Sequence, residues 1–243
     1  VALAAPARAQ RTGTIISAVD AIFAPWDETG SPGCALGVVE DGEFIYERGY
    51  GFANLDWDIP SATDTVFYVG SVSKQFTAAV IALLAEEGTV DLDENIREYF
   101  PEIPKYVRPI TVRHLVHHTS GLRDIYTLMS LAGIRLEDVF TDEQAIELIA
   151  AQRETNFEPG SEYLYSNSGY FLLAQLVERA SGKTLREFAE ERIFAPLGME
   201  DTHFHDRPSH IVDRRAISYQ DSDVDFDNYI ATGHREFQVS YLG

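Results

Sequence analysis

The apolar positions near the start of the chain predict a surface helix followed by a β-hairpin. Over residues 14–26 they recur at the three- and four-residue spacing of a helix that packs one face against a core. Two strand-like segments follow, Cys34–Glu40 and Glu43–Tyr50. They are joined by Asp41-Gly42, a dipeptide that favours the tight turn of an antiparallel hairpin.

A loop is predicted over residues 54–60, and after a helix that follows it the pattern changes at Gly88 to helices and loops. Residues 75–87 are nearly all helix formers with apolar side chains on most faces, which predicts a buried helix that ends at Gly88. Residues 161–167 predict an irregular loop. Further helices are predicted over 112–117 after Thr111, from Thr141 to about residue 152, over 169–180 and over 185–193 after Thr184, and a strand is predicted within 211–219.

Composition and charge restrict the class of protein more than its fold. The 243 residues suffice for one large domain or two small ones, and 45% of them are hydrophobic. The formal net charge of −20 argues against nucleic acid and anionic membrane surfaces as partners. No run approaches the roughly 20 apolar residues of a membrane-spanning helix. The single cysteine, Cys34, excludes an intramolecular disulfide and is expected to be a buried apolar residue.

The first residues of the chain are expected to be the remnant of an export signal. Residues 1–9 read as the end of an apolar segment, and Ala7-Arg8-Ala9 matches the Ala-x-Ala pattern of a signal-peptide cleavage site. We therefore expect a mature chain that starts near Gln10 and is located in the periplasm or outside the cell. An alanine-rich tail without a targeting role is the alternative.

The first candidate for chemistry is a serine placed three residues before a lysine at the start of the predicted buried helix. If that helix begins at about Ser71, the side chains of Ser71 and Lys74 lie on the same face. The serine then also stands at the positive end of the helix dipole, which favours a developing oxyanion. A buried lysine beside a serine can act as its proton carrier, which a serine nucleophile requires.

The second candidate is the tripeptide Tyr165-Ser166-Asn167, which follows Ser71 by 94 residues. A cationic lysine lowers the pKa of a neighbouring phenol, so that Tyr165 can serve as general base and later as general acid. Asn167 offers an amide donor and a carbonyl acceptor, which suit it to orienting the lysine and a substrate carbonyl. A Tyr-x-Asn sequence in a loop also has a purely structural interpretation.

Four motifs occur in a fixed order, and together they carry a family resemblance. They are Ser-Val-Ser-Lys at 71–74, His-Thr-Ser-Gly-Leu at 118–122, Tyr-Ser-Asn at 165–167 and Pro-Leu-Gly-Met at 196–199. From about residue 16 to residue 204 the chain resembles the penicillin-recognising serine hydrolases. Within them it is most similar to the branch of class C β-lactamases, D-alanyl-D-alanine carboxypeptidases, D-aminopeptidases and family VIII esterases.

The resemblance implies site residues and a reaction class. Ser71 is then the acylated nucleophile, Lys74 and Tyr165 form the proton-transfer pair, and Asn167 positions the substrate. Which of the lysine and the tyrosine acts as the base stays open. The implied substrate is an ester, an amide or a β-lactam, small or peptidoglycan-like, and the reaction needs neither a cofactor nor a metal.

The resemblance also implies an α+β fold of the β-lactamase/transpeptidase type. An antiparallel sheet flanked by helices is then accompanied by an all-helical domain, with the active site in the cleft between them. After the signal remnant, residues 10–65 begin the α/β domain and 66–205 form the mostly helical domain that carries the motifs. Residues 206–243 begin the return to the α/β domain.

One motif of the family has no counterpart in the sequence. A Lys-Thr-Gly or His-x-Gly on an inner strand normally follows the tyrosine, whereas Thr232-Gly233-His234 carries similar letters in another order. The C-terminal strands of the sheet are missing as well, and a lone hairpin is marginally stable. We therefore expect the chain to be a fragment of a longer protein at both ends.

Two other classes of function are compatible with parts of the sequence. A relative without the third motif would bind penicillin-like or peptidoglycan-like ligands without catalysis. A metal-dependent hydrolase would use His114, His117 and His118, although no glutamate accompanies them in the spacing of a zinc hydrolase. His203 and His205 are expected to be surface or packing residues. The acidic run 221–227 lacks the glycine and glutamate of a calcium-binding loop and predicts a solvated loop.

Overall fold

The computed structural model describes residues 4–135, 138, 140–207, 209–220 and 230–231. The described residues contain both helices and short antiparallel strands, which confirms the α+β class. The α-helices are α1 Ala4–Phe23, α2 Lys74–Glu86, α3 Val112–Val116, α4 Ile125–Leu131, α5 Asp142–Ala150, α6 Asn167–Ser181 and α7 Leu185–Ala189. The strands are β1 Cys34–Glu40, β2 Glu43–Tyr50, β3 Phe52–Asn54, β4 Ile59–Pro60, β5 Tyr219–Gln220 and β6 Ile230–Ala231. Short 3₁₀ segments lie at Ala24–Trp26, Gly70–Ser73 and Ile96–Glu98, and a π-helical turn at Glu190–Phe194.

The described residues divide into two compact units. One contains the residues before Val69 together with those from Val212 onward, and the other contains Val69–Ile211. Among the described residues, no helix is long and apolar enough to cross a membrane. Both the acidic run 221–227 and Thr232-Gly233-His234 lie outside the described residues.

The first unit is built around the predicted hairpin, whose two strands have the predicted bounds. Asp41 and Gly42 form its two-residue turn with φ angles of 54° and 82°, as a tight hairpin turn requires. A bulge shifts the register between Val38 and Val39. The strands of the described residues form three two-stranded antiparallel sheets. Cys34 is half-buried rather than buried, because a two-stranded sheet covers its strands incompletely, and burial raises the pKa of its thiol.

Helix α1 is tied to the hairpin by its last turns. The Tyr46 and Tyr50 hydroxyls both donate to Asp20 Oδ1, at 2.6 and 2.9 Å, and the Phe23 ring stacks on Tyr50. The helix begins at Ala4 instead of at residue 14, because the alanine-rich residues 4–13 are also good helix formers. Export directed by residues 1–9 stays a prediction.

Two predictions in this unit, one of a loop and one of a strand, were wrong. Residues 54–60 were expected to form a loop, yet β3 and β4 pair there. The strand expected within 211–219 is reduced to β5 and a single bridge between Val66 and Arg215. These pairings are too short to leave a two-residue periodicity in the sequence.

The second unit is helical, and α6 is its central element. Every residue from Ser168 to Val177 is buried, and α2, α3, α4 and α7 pack against α6. Helix α2 buries one face, with Val80, Ile81 and Leu84 in the core, and it ends before Gly88, whose φ is 72°. A left-handed residue at that position is a common helix stop.

The starts of three helices lie where their capping residues predicted them. Thr111, Thr141 and Thr184 each accept a hydrogen bond from the third helical residue, whose side chain bonds back. The helix expected over 185–193 is α7 followed by the π-helical turn. Helix α4 was not predicted, since seven residues show too little periodicity.

Candidate active site

Ser71 and Lys74 meet at the N-terminal end of α2. The predicted helix start was slightly wrong, because Ser71 belongs to a 3₁₀ turn, Gly70–Ser73, and α2 begins at Lys74. Side chains three residues apart are eclipsed in a 3₁₀ turn, which brings the two together. Lys74 Nζ donates a 3.1 Å hydrogen bond to Ser71 Oγ. Ser71 is exposed, whereas Lys74 is only 7% exposed, so the hydroxyl is open to a substrate and the lysine is shielded.

Tyr165 reaches the same serine from the loop before α6. Its hydroxyl donates to Ser71 Oγ at 2.7 Å, and 39% of the residue is exposed. The loop is held in place by backbone hydrogen bonds to the turn after α3. Leu164 N–H donates to the His118 carbonyl at 2.9 Å, and Gly160 N–H donates to the Thr119 carbonyl at 2.8 Å. The structure therefore brings together the three residues for which proton transfer was predicted.

The surroundings of Lys74 are aromatic. Its Nζ lies 5.3 Å from the centroid of the Tyr165 ring and 5.6 Å from that of Tyr170. In the part of the chain that the structure describes, no carboxylate forms an ion pair with it. Among the described residues, the Lys74 ammonium group therefore contacts two ring faces and the Ser71 hydroxyl.

Asn167 is placed at the start of α6, but its contacts differ from those expected. Its backbone N–H and its side-chain amide donate to Asp124 Oδ2 at 2.7 and 2.9 Å. The amide is thus held by a carboxylate, not by Lys74. A role for Asn167 toward a substrate stays a prediction.

Two residues that contact these side chains were not predicted from the sequence, one bound to Asn167 and the other beside Lys74. Asp124 was not singled out, although an aspartate before an apolar run is a signal for a helix start. Tyr170 was read only as part of a helix. Its ring is buried, which raises the pKa of its phenol, and its hydroxyl donates to the Val116 carbonyl at 3.1 Å.

The three histidines after Thr111 have separate contacts. His114 Nδ1 accepts the Thr111 N–H at 3.1 Å as part of the cap of α3. His118 Nδ1 accepts the Ser166 N–H at 3.1 Å, and the His117 side chain is exposed. Within the described ranges, no three His, Cys, Asp or Glu residues are arranged to hold a metal ion.

A helical unit that presents a serine, a lysine and a tyrosine in this order agrees with the resemblance to the penicillin-recognising serine hydrolases. The model of the family named Beta-lactamase matches residues 18–236. The chain therefore belongs to the β-lactamase family, which confirms the resemblance noted in the sequence.

Two curated relatives illustrate its neighbours in sequence. A D-aminopeptidase of Brucella anthropi is 42% identical over 169 residues, which are 70% of this chain and 32% of that protein. Penicillin-binding protein 4* of Bacillus subtilis is 33% identical over 69% of this chain and 37% of its own length. The chain spans about a third of the length of these relatives.

Solved structures show the same fold. The D-amino acid amidase of Ochrobactrum anthropi, complexed with D-phenylalanine, superimposes with a TM-score of 0.75 at 28% identity, over 92% of this chain and 65% of the amidase. EstCE1, a hydrolase with promiscuous acyltransferase activity, gives a TM-score of 0.75 at 25% identity, over 91% of this chain and 59% of its own. The fold is therefore shared with an amidase and with a hydrolase that also transfers acyl groups.

Proposed function

We propose that the protein is a serine hydrolase that forms an acyl-enzyme on Ser71 from an amide or ester substrate. The observation that carries this proposal is the double contact at Ser71 Oγ, with Lys74 Nζ at 3.1 Å and the Tyr165 hydroxyl at 2.7 Å. A general base must lie within hydrogen-bond reach of the proton that it removes, and both groups meet this requirement.

Acylation begins when Ser71 Oγ attacks the carbonyl carbon of the substrate. The serine proton moves to whichever of Tyr165 and Lys74 is deprotonated, and a C–O bond forms as the carbonyl becomes an oxyanion. Collapse of this intermediate breaks the bond to the leaving nitrogen or oxygen. The same proton is delivered to the leaving group, so that the free amine or alcohol departs and an ester to Ser71 remains.

Deacylation repeats these steps with water as the nucleophile. Water attacks the Ser71 ester, loses a proton to the same base, and releases a carboxylic acid while Ser71 Oγ regains a proton. The sum is one substrate plus one water giving an acid plus an amine or alcohol. The exposure of Ser71 and Tyr165 leaves the reacting atoms open to both substrate and water.

Amides of D-amino acids are the substrates that we propose first. A D-aminopeptidase and a D-amino acid amidase are among the relatives, at 42% and 28% identity. Esters come second because acyl transfer to an alcohol is ester chemistry and EstCE1 is a hydrolase with acyltransferase activity. β-Lactams come third because of the relative named penicillin-binding protein 4*. Since pocket shape selects among such substrates, the three reacting residues do not distinguish them. We further propose export from the cytoplasm, on the strength of the Ala-x-Ala pattern.

The test measures the turnover of four substrates by the full-length protein. Its substrates are the p-nitroanilides of D-alanine and L-alanine, p-nitrophenyl acetate and a chromogenic cephalosporin. The wild type is compared with Ser71→Ala and with Ser73→Ala, which removes a hydroxyl from the same turn. We expect turnover of the D-anilide above the L-anilide, a loss of at least about 10³-fold in Ser71→Ala and wild-type rates in Ser73→Ala. Wild-type rates in Ser71→Ala would overturn the proposal.

A further inference from the structure

His118 lies in the turn after α3 and contacts three consecutive residues, 164–166, of the loop that carries Tyr165. Its carbonyl accepts the Leu164 N–H at 2.9 Å, and its Nδ1 accepts the Ser166 N–H at 3.1 Å. Its ring stacks on the ring of Tyr165 itself, with centroids 4.5 Å apart and planes inclined by 30°. One residue thus holds the backbone on both sides of Tyr165 and the face of its phenol.

Two other aromatic residues also contact the ring of His118 and hold it in place. Tyr170 stacks on it at 4.9 Å with planes inclined by 30°, and Tyr163 meets it edge-on at 6.0 Å. The Tyr170 hydroxyl is anchored on the Val116 carbonyl, so this stacking partner has a fixed orientation. A ring held in this way can transmit its own position to the phenol of Tyr165.

We propose that His118 is a positioning residue that holds the Tyr165 phenol oxygen against Ser71 Oγ. This inference rests on the proposed catalytic function of Ser71 and Tyr165. A displacement of about 1 Å in a reacting group can cost about 10²-fold in rate, so a residue that fixes the phenol affects catalysis without touching the substrate.

Histidine suits this position for three physical reasons. The backbone of residue 118 has φ 56°, a left-handed conformation in which His, Asn and Asp are enriched and bulky residues are strained. The ring supplies an aromatic face, and its unprotonated nitrogen supplies an acceptor. Burial and the charge of Lys74 lower the pKa of His118, so the neutral ring that the Ser166 N–H needs as an acceptor is favoured.

The experiment separates the two contacts and uses the neighbouring histidine as a control. His118→Asn retains an acceptor and tolerance of positive φ but removes the stacking. His118→Phe retains the stacking and removes the acceptor, and it adds the strain of a bulky residue at positive φ. His117→Asn makes the same chemical change at an exposed side chain. With the best of the four substrates, we expect kcat to fall about 10- to 100-fold in both His118 variants, KM to stay within about twofold, and His117→Asn to match the wild type.

A second comparison decides whether His118 acts through Tyr165. Adding His118→Asn to Tyr165→Phe should leave the already reduced kcat unchanged within about twofold, because the phenol oxygen that His118 positions is gone. Thermal unfolding of each variant shows that the compared samples are folded. A further 10-fold loss in the double variant, or an effect on KM alone, would overturn the proposal. Wild-type kcat in His118→Asn would overturn it too, whereas wild-type kcat in Ser71→Ala would overturn the proposed function.

Discussion

Asp124 Oδ2 accepts two hydrogen bonds from Asn167, one from the backbone N–H at 2.7 Å and one from the side-chain amide at 2.9 Å. The other oxygen of the same carboxylate accepts the Tyr126 N–H at 3.0 Å and so caps the N-terminus of α4. One carboxylate therefore joins the starts of α4 and α6. Because Tyr165 lies two residues before Asn167, the position of α6 also sets that of the phenol.

Asp124→Ala is expected to lower both stability and activity. A lost helix cap costs about 1 kcal/mol, and leaving the half-buried Asn167 donors without their acceptor adds about 1–3 kcal/mol to the loss. Urea unfolding should show a free energy of unfolding lower by about 2–4 kcal/mol. The kcat should fall with it in the folded protein, because Asn167 and the residues before it lose their anchor.

Asp93→Ala is the matched control for that change. Asp93 forms an exposed ion pair with Arg113, and such pairs add little to stability. Its unfolding midpoint should stay close to that of the wild type. Equal midpoints for Asp124→Ala and Asp93→Ala would contradict the anchoring role of Asp124.

Tyr165→Phe removes one oxygen from the cluster and leaves its packing intact. We expect kcat to fall about 10²- to 10⁴-fold, the range of a general acid–base group, with unfolding unchanged. Tyr163→Phe makes the same change two residues earlier, on a residue that is 68% exposed, and should retain full activity. Steady-state kinetics on both variants checks the prediction, and equal kcat values in the two would refute a proton-transfer role for Tyr165.

Lys74→Met is expected to lower kcat strongly without destabilising the protein. Lys74 is 7% exposed, and burying a charge has a desolvation cost that an apolar side chain of similar length avoids. The Tm of the variant should therefore equal or exceed that of the wild type, while kcat falls at least about 10²-fold. Lys105→Met, at an exposed lysine, should leave both quantities unchanged. A lower Tm together with wild-type kcat would assign Lys74 a structural role instead.

A cluster of histidines near the end of the helical unit predicts loss of stability in mild acid. His203 stacks on His210 at 5.0 Å and lies 5.7 Å from His205. Burial, the nearby Arg186 and the two other histidines lower the pKa of His203. The folded state therefore resists protonation, whereas an unfolded histidine takes up its proton near pH 6.5. Below that pH the unfolded state binds more protons, and the free energy of unfolding falls.

Urea unfolding at pH 7.5 and at pH 5.5 measures this effect. The pKa values of His114 and His118 are lowered as well, so His203→Gln should reduce the pH dependence without removing it. Carboxylates with lowered pKa values, such as Asp93, titrate below this window and do not interfere. A pH dependence identical in His203→Gln and the wild type would contradict the assignment to His203.

The sequence predicted best those features that depend on neighbouring residues. The hairpin turn at Asp41-Gly42 and the caps at Thr111, Thr141 and Thr184 are local signals, and the structure has each of them. The contact of Ser71 with Lys74 is local as well. The approach of Tyr165 to Ser71, across 94 residues, followed from the family resemblance and not from periodicity.

The features that the sequence did not predict depend on tertiary contacts. The partner of Asn167 is 43 residues away, and nothing near either residue indicates the pairing. The left-handed backbone of His118 follows from its place between α3 and the Tyr165 loop. Strands β3 and β4 pair over so few residues that the sequence shows no alternation of apolar and polar positions there. Local signals thus define the helices, while packing defines the surroundings of the serine.

The central claim is that Ser71 is an activated nucleophile, and intact-protein mass spectrometry tests it most directly. The intact protein is mixed with an excess of an activated phenyl ester and, separately, of a penicillin, beside Ser71→Ala and Ser73→Ala. We expect a single acyl adduct in the wild type and in Ser73→Ala, located by peptide mapping on the peptide that contains Ser71. An unmodified mass in folded wild-type protein with both reagents, or an equal adduct in Ser71→Ala, would contradict the account.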